Sequence, residues 1–330
     1  MLYAEIKGIG IYHPDTIPIG NEFFMDKFPG IEHLLNHLGR KERYFVQDSG
    51  ETSVTMAAHA AEKALKNAKL NAEQIDAVIF VSDTPEYTIP CNALIVKEFI
   101  GAKNANIVTD MNDNCNGMVV AMDWADTYIR IHKNINSVLI AGAVYNSLIT
   151  NKKCPEVYSV AGDGAAAIVL SKTDRKCGII QTEYCSDSAT YNKMMNPRCG
   201  YSRLLDPDTE ADKKYYDMIP QSIEFWSIKW DELSRKVLKD NNLTLEDVDF
   251  FLFSQFSKAE IIKTLTSKMK IENFESKYEF ISEKYGYMGN ASPFFALNSA
   301  EEKGKIKRGD LLLFCTVGSG YSLVVSLARY

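Results

Sequence analysis

Two segments of the chain are written on one plan: residues 70–84, LNAEQIDAVIFVSDT, and residues 243–257, LTLEDVDFFLFSQFS. In each, a turn with Glu73 or Glu246 leads to Ile75-Asp76 or Val248-Asp249, and a short apolar strand then ends at Ser82 or Ser254. Two further apolar runs, AAAIVL (165–170) and SLVVSLARY (322–330), close the two halves. Near-continuous apolar strands mark sheets covered on both faces. Helical patterns such as VTMAAHAAEKALKNAK (54–69) lie between them. Strands alternating with helices, used twice, read as α/β with two similar halves. The polar break SKTDRKC (171–177) sets the boundary, giving halves of 1–172 and 173–330. An acidic turn before a strand is also a common pattern, so the repeat alone leaves duplication and chance both open.

Composition removes several classes. With 46% hydrophobic residues and 11% aromatic, the chain has the apolar area of a globular protein. A net charge of −6 gives no nucleic-acid footprint. The longest apolar runs, VLIAGAV (138–144) among them, are too short to span a bilayer, and the start lacks a signal-peptide layout. Seven cysteines, widely spaced and with no CxxC pair, argue against a zinc cage or disulfide framework and for a cytoplasmic setting. His33 and His37 have helical metal-ligand spacing but no third ligand, so no metal is expected. A loop rich in Ser, Asn, Pro and charge, from Ser186 to Asp217, has the character of a site cover.

The most informative stretch is NIVTDMNDNCNGMVVAMDWADTYIRIHK (106–133). Ile107 and Val108 end a strand, Asn112 to Asn114 make a turn, and from Gly117 a helical face runs through Met118, Met122, Ala125 and Ile129, with Ala121 and Tyr128 beside it. Cys115 thus sits where unpaired N–H groups and the helix dipole favour a thiolate and can hold an oxyanion, and Gly117 leaves room for close substrate approach. A small buried cysteine is the alternative, and the local pattern leaves both open.

Five ordered motifs carry a resemblance across almost the whole chain. IDAVIFVSDTPEYTIPCNA, DMNDNCNGMVVAMDWA, VAGDGAAAIVL, KYGYMGNASPFFAL and KRGDLLLFCTVGSGYSLVVSLARY resemble, in sequence order, the signatures of the β-ketoacyl-acyl-carrier-protein synthase III group of thiolase-fold condensing enzymes. The resemblance implies an αβαβα layered fold, usually a homodimer, with no cofactor. It implies transfer of an acyl group from acyl-CoA, or from acyl-carrier phosphopantetheine, to Cys115, with acyl-CoA and acyl carrier protein as partners. Asn290 falls on the catalytic asparagine, and the backbone N–H groups of Cys115 and Ser319 on the oxyanion hole.

One departure is chemical. The family's histidine follows the second-half strand, where this chain reads FSQFS: Ser254 takes the histidine's place and Ser257 that of a following asparagine. The five histidines are His13, His33, His37, His59 and His132, so no imidazole lies downstream to substitute. A serine can donate a hydrogen bond but does not titrate near neutrality. Loss of one preorganised donor costs ~10²–10³ in rate. Decarboxylative condensation is therefore the family activity most exposed, while acyl transfer to Cys115 still has its thiol and oxyanion hole.

Further expectations concern binding. Arg40 and Arg43 in GRKERYF (39–45) fall where the resemblance places the coenzyme A entrance and its phosphates, with a solvated loop as the alternative reading. KGKIKR (303–308) suits an acidic carrier protein or an ordinary exposed turn. Met194, Met195, Met218, Tyr215, Tyr216, Phe225 and Trp226 line an acyl tunnel or pack a core. The overall expectation is a synthase III-like acyltransferase acting from Cys115, with Asn290 and Ser254 at the thioester carbonyl, in fatty-acid-like or specialised, polyketide-type biosynthesis. Its rival is a catalytically silent subunit in a heterodimer with a related synthase. A thioesterase-like hydrolase ranks last, for want of a positioned base.

Overall fold

The computed structural model describes residues 2–48 and 50–330. The first sheet contains β1 (Tyr3–Tyr12), β2 (Ala77–Val81), β3 (Ile107–Met111), β4 (Ser137–Tyr145) and β5 (Asp163–Thr173), in the order β1-β5-β4-β2-β3. The second contains β6 (Gly178–Ser186), β7 (Phe250–Phe253), β8 (Leu311–Gly318) and β9 (Ser322–Arg329), in the order β7-β8-β9-β6. In the first, β2 is parallel to β4, β4 antiparallel to β5, and β5 antiparallel to β1. In the second, β7 is parallel to β8, β8 antiparallel to β9, and β9 antiparallel to β6. The same four-strand arrangement is used twice, with β3 added at one edge of the first.

The repeated sequence plan has a repeated physical cause. Asn71 and Thr244 each close a capping box over a short 3₁₀ turn. The Asp76 carboxylate then accepts the N–H groups of Asn136 (2.6 Å) and Ser137 (3.0 Å), and Asp249 accepts that of Leu311 (2.8 Å). Each aspartate thus fixes the register of its strand against the next parallel one.

Helices separate and cover the sheets. The core between the sheets is filled by α3 (Gly117–Ile131) and α5 (Ser292–Glu302): Met118, Met122, Ala125, Ile129, Phe294 and Leu297 pack there against both inner faces. Outside the first sheet lie α1 (Ser53–Ala68) and α2 (Asn92–Ile100); outside the second lies α4 (Glu224–Asp240). The layers run αβαβα, the thiolase fold. On α3 the expected apolar face is buried, but Tyr128 is exposed and packs on His132 with ring centroids 4.3 Å apart. Among the described residues no helix is long and apolar enough to cross a membrane.

Candidate active site

The turn carrying Cys115 is assembled from its own asparagines. Asn112 Oδ1 accepts the Asn114 N–H (2.9 Å), and Asn114 adopts a left-handed φ of 47°, a conformation asparagine tolerates. Asn116, fully buried, donates through Nδ2 to the Ser322 carbonyl (2.7 Å), and Ser322 Oγ donates to Asp113 Oδ2 (3.3 Å). A turn at the end of β3 is therefore tied to the start of β9 in the other sheet. Gly117 serves this packing rather than substrate approach: a Cβ there would lie 2.5 Å from Val81 Cγ1. The expected space for substrate is occupied by β2.

Cys115 opens into a cavity of about 140 Å³, whose walls include Asp83, Asn146, Tyr216, Tyr287 and Ser319. A second cavity, of about 250 Å³, contains Met218 and shares Met194, Trp226 and Phe256 with the first. The 186–217 segment forms short 3₁₀ turns and a two-residue ladder, Met194–Met195 against Asp217–Met218, and places Met194, Asn196 and Tyr216 over Cys115. Of the residues grouped as tunnel or core, Met194, Tyr216 and Trp226 line the Cys115 cavity. Phe225 instead packs on Tyr321 with centroids 4.4 Å apart, and Tyr215 is exposed.

The electrostatics overturn one expectation. Burial, reinforced by the charge of Asp83, pushes the Cys115 thiol up to about 12; a hydrogen bond from Tyr287 opposes the rise, and Asp113 adds to it. The resting group is a thiol, so the helix start does not by itself yield a thiolate. Burial also pushes the Asp83 carboxyl up to about 6, and its Oδ1 is buried with no hydrogen-bond partner. Tyr216 and Tyr287 are driven well above the usual tyrosine value by burial and by Cys115. No Lys, Arg or His lines the cavity among the described residues.

The structure brings some of the sequence-predicted residues together and separates others. The turn Gly289–Ala291 packs on the turn of Cys115, and both polar atoms of the Asn290 amide are buried without partners. Gly142 makes room for it: a Cβ there would fall 2.4 Å from Asn290 Oδ1. Asn290 is 1% exposed and is not itself among the residues that line the cavity; its unspent amide lies on the turn next to that of Cys115. Ser319 lines the cavity with Cys115.

Ser254 does not reach the cavity. Its hydroxyl accepts the Val317 N–H (3.0 Å) at a strand end, so its expected place at a thioester carbonyl is not where the fold puts it. Ser257 accepts the Glu260 N–H (3.3 Å) as a helix cap. Arg40 and Arg43 are likewise corrected. They are 2% and 0% exposed, far from any phosphate in solvent. Arg40 donates to the carbonyls of Leu38 (2.8 Å), Val160 (3.4 Å), Gln255 (3.3 Å) and Phe256 (2.6 Å). Arg43 donates to the Ser159 and Ile19 carbonyls and lies over the Phe24 ring. In the 303–308 run, Lys303 and Lys305 both pair with Glu279 at 2.8 Å. Among the described residues no group of three or more His, Cys, Asp or Glu could hold a metal. Of the other six cysteines only Cys315 is fully buried.

Two site residues escaped sequence reasoning. Tyr287 is aimed at the cavity because its backbone bridges to Ala161 and its N–H donates to the Val160 carbonyl (2.8 Å), contacts invisible in one dimension. Asp83 had a faint signal: it comes directly after the terminal serine of the first repeat.

Sheet order, layering and a cysteine at the head of a central helix are those of the thiolase-fold class of condensing enzymes. Relatives narrow the class. The family models for 3-oxoacyl-[acyl-carrier-protein] synthase III and for its C-terminal part match residues 109–188 and 238–330. The β-ketoacyl-[acyl-carrier-protein] synthase III of Clostridioides difficile is 30% identical, covering 99% of this chain and 98% of its own. That of Aquifex aeolicus is 29% identical over 99% of both, and the crystal structure of the Aquifex aeolicus synthase superposes with a TM-score of 0.87 at 28% identity, covering 99% of this chain and 100% of that one. The priming β-ketosynthase of the R1128 polyketide pathway shares the fold, with a TM-score of 0.89 at 19% identity over 99% of this chain and 96% of its own. The chain belongs to the β-ketoacyl-acyl-carrier-protein synthase III family, and it is an acyl-transferring enzyme.

Proposed function

We propose that the chain takes an acyl group from an acyl-CoA or acyl-carrier thioester onto Cys115 and passes it to a second substrate. The observation that carries this reading is the unpartnered Asn290 amide, buried on the turn that packs against Cys115. Asn290 Nδ2 holds the thioester carbonyl, and the N–H groups of Cys115 and Ser319 take the developing oxyanion. The first cavity mixes Asp83, Asn112, Asn146 and Thr150 with Ile149, Val157 and Val317, which suits a short acyl group better than a long hydrocarbon. The second cavity reaches the surface at His37 and receives the pantetheine arm past Met218. On α3, exposed Trp124, Tyr128 and Ile131 share a face that a second copy of the chain covers.

The pathway is fatty-acid-like or specialised, of polyketide type. Without an imidazole in the cavity, malonyl decarboxylation has Asn290 but lacks the family's second donor. The test is to incubate the purified protein with acetyl- to decanoyl-CoA and weigh it by mass spectrometry. An acyl adduct, strongest with short donors and absent in Cys115→Ala, is expected. No adduct from any donor, together with a stable complex with an intact synthase, would establish the silent-subunit reading instead.

A further inference from the structure

We propose that Asp83 is the proton acceptor for Cys115, standing in for the imidazole this site lacks; the inference rests on Cys115 being the acylated residue. Three observations lead to it. Asp83 shares the cavity wall with Cys115, and its Oδ1 is buried with no partner, so the accepting capacity of that oxygen is unspent. Among the described residues no Lys, Arg or His lines the cavity to neutralise it. Tyr287 shares the cavity wall with Cys115, and its hydroxyl favours the thiolate. The titratable groups around Asp83 are Cys115, Tyr216 and Tyr287, with Asp113 beyond the cysteine. Of the cavity's groups, Asp83 alone changes protonation near neutral pH, because burial raises it to about 6. A base with that value matches its task.

The step balances without any further reagent. As the Cys115 sulfur adds to the donor's carbonyl carbon, the S–H proton moves to the Asp83 carboxylate and the new C–S bond forms. The tetrahedral intermediate then collapses, the C–S bond to the donor breaks, and Asp83 returns the proton to the departing thiolate. Acyl thioester and cysteine thiol become acyl-cysteine and donor thiol.

Two measurements test this on the intact protein. In the first, single-turnover acylation of Cys115 by a short acyl-CoA is followed from pH 5 to 8. The wild-type rate rises with ionisation of a group near pH 6, and Asp83→Asn lowers it by ~10²–10⁴ and flattens the profile. Asp83→Glu retains part of the rate, and exogenous formate partly restores Asp83→Ala. The second measurement is alkylation of Cys115 by iodoacetamide, which needs no acyl donor. If Asp83 only adds an unfavourable charge beside the thiol, its removal lowers the cysteine's pKa and speeds alkylation; if Asp83 accepts the proton, removal slows it. Faster alkylation in Asp83→Asn, or acylation within about threefold of wild type, overturns the proposal. Absence of any acyl adduct in the wild type, with alkylation still slowed by Asp83→Asn, overturns the acyl-transfer reading and leaves Asp83 as the base of a reactive thiol.

Discussion

At the end of β2, Ser82 donates to the Ala143 carbonyl (2.7 Å) and accepts the Thr84 N–H (2.9 Å), and the next residue, Asp83, turns into the Cys115 cavity. At the end of β7, Ser254 accepts the Val317 N–H (3.0 Å), and the next residue, Gln255, turns away from it. Gln255 donates to the carbonyls of Phe253 (3.2 Å) and Glu279 (3.1 Å) and accepts the Ile281 N–H (3.0 Å). The two serines do the same local work: each closes its strand onto the neighbouring parallel strand. The polar residue after each serine differs in what it has left over. Gln255 is fully committed to backbone, whereas Asp83 keeps an unpartnered oxygen. A duplicated scaffold has thus kept one strand end for structure and given the other a group that chemistry can use.

The largest expected effect breaks the structural end. Arg40 holds the Gln255 and Phe256 carbonyls from one side and Leu38 and Val160 from the other. Arg40→Met leaves these buried acceptors without a donor, at about 1–3 kcal/mol each where no water enters, so a loss of roughly 3 kcal/mol or more is expected in urea unfolding. Affinity for CoA, measured on the folded fraction, stays unchanged. A selective loss of CoA affinity with normal stability would return this arginine to the phosphates.

The next effect distinguishes the two ends by pH. Asp83 is pushed up to about 6 from an ordinary value near 3.8. The folded state therefore binds its proton more tightly than the unfolded chain, and stability from this group falls as pH rises from about 4 through about 6. Asp83→Asn removes the titration. The variant should match wild type near pH 4 and exceed it above pH 7 by up to about 3 kcal/mol, two pKa units at ~1.4 kcal/mol each. Asp126 and Asp163, also raised to about 6 by burial, slope the same way in both proteins and cancel in the difference. Gln255→Glu offers the contrast: a charge placed among the Phe253 and Glu279 carbonyls destabilises most at high pH.

The repeat and the helix face of α3 were legible in the patterning of apolar residues, and the layer order came with the family resemblance. Cys115 and Asn290 were legible because each lies in a run with a family-wide plan. What escaped depends on contacts between distant segments. Arg40 and Arg43 read as surface cations because the run around them is polar, yet Val160 and Gln255, far away in the chain, close over Arg40. The helix start beside Cys115 argued for a thiolate, and only the folded neighbourhood supplies the burial and the Asp83 charge that reverse it. Ser254 drew attention through the residue it replaces, although, like Ser82, it ties its strand end to the neighbouring parallel strand.

The smallest effect tests that last equivalence. If Ser82 and Ser254 are the same device used twice, Ser82→Ala and Ser254→Ala each leave a buried backbone group unpaired and cost about 1–3 kcal/mol. For Ser82 the orphans are the Ala143 carbonyl and the Thr84 N–H, and for Ser254 the Val317 N–H. The difference lies in the residue after each serine. Ser82→Ala loosens the backbone that aims Asp83, so Cys115 acylation slows as well. Ser254→Ala frees the N–H of Val317, a residue of the cavity wall, but removes no group that itself faces Cys115, and acylation per folded molecule stays within about twofold. A tenfold or larger loss of acylation in Ser254→Ala, at temperatures where the variant is folded, would show that its hydroxyl reaches the thioester after all and that the second strand end shares in the chemistry.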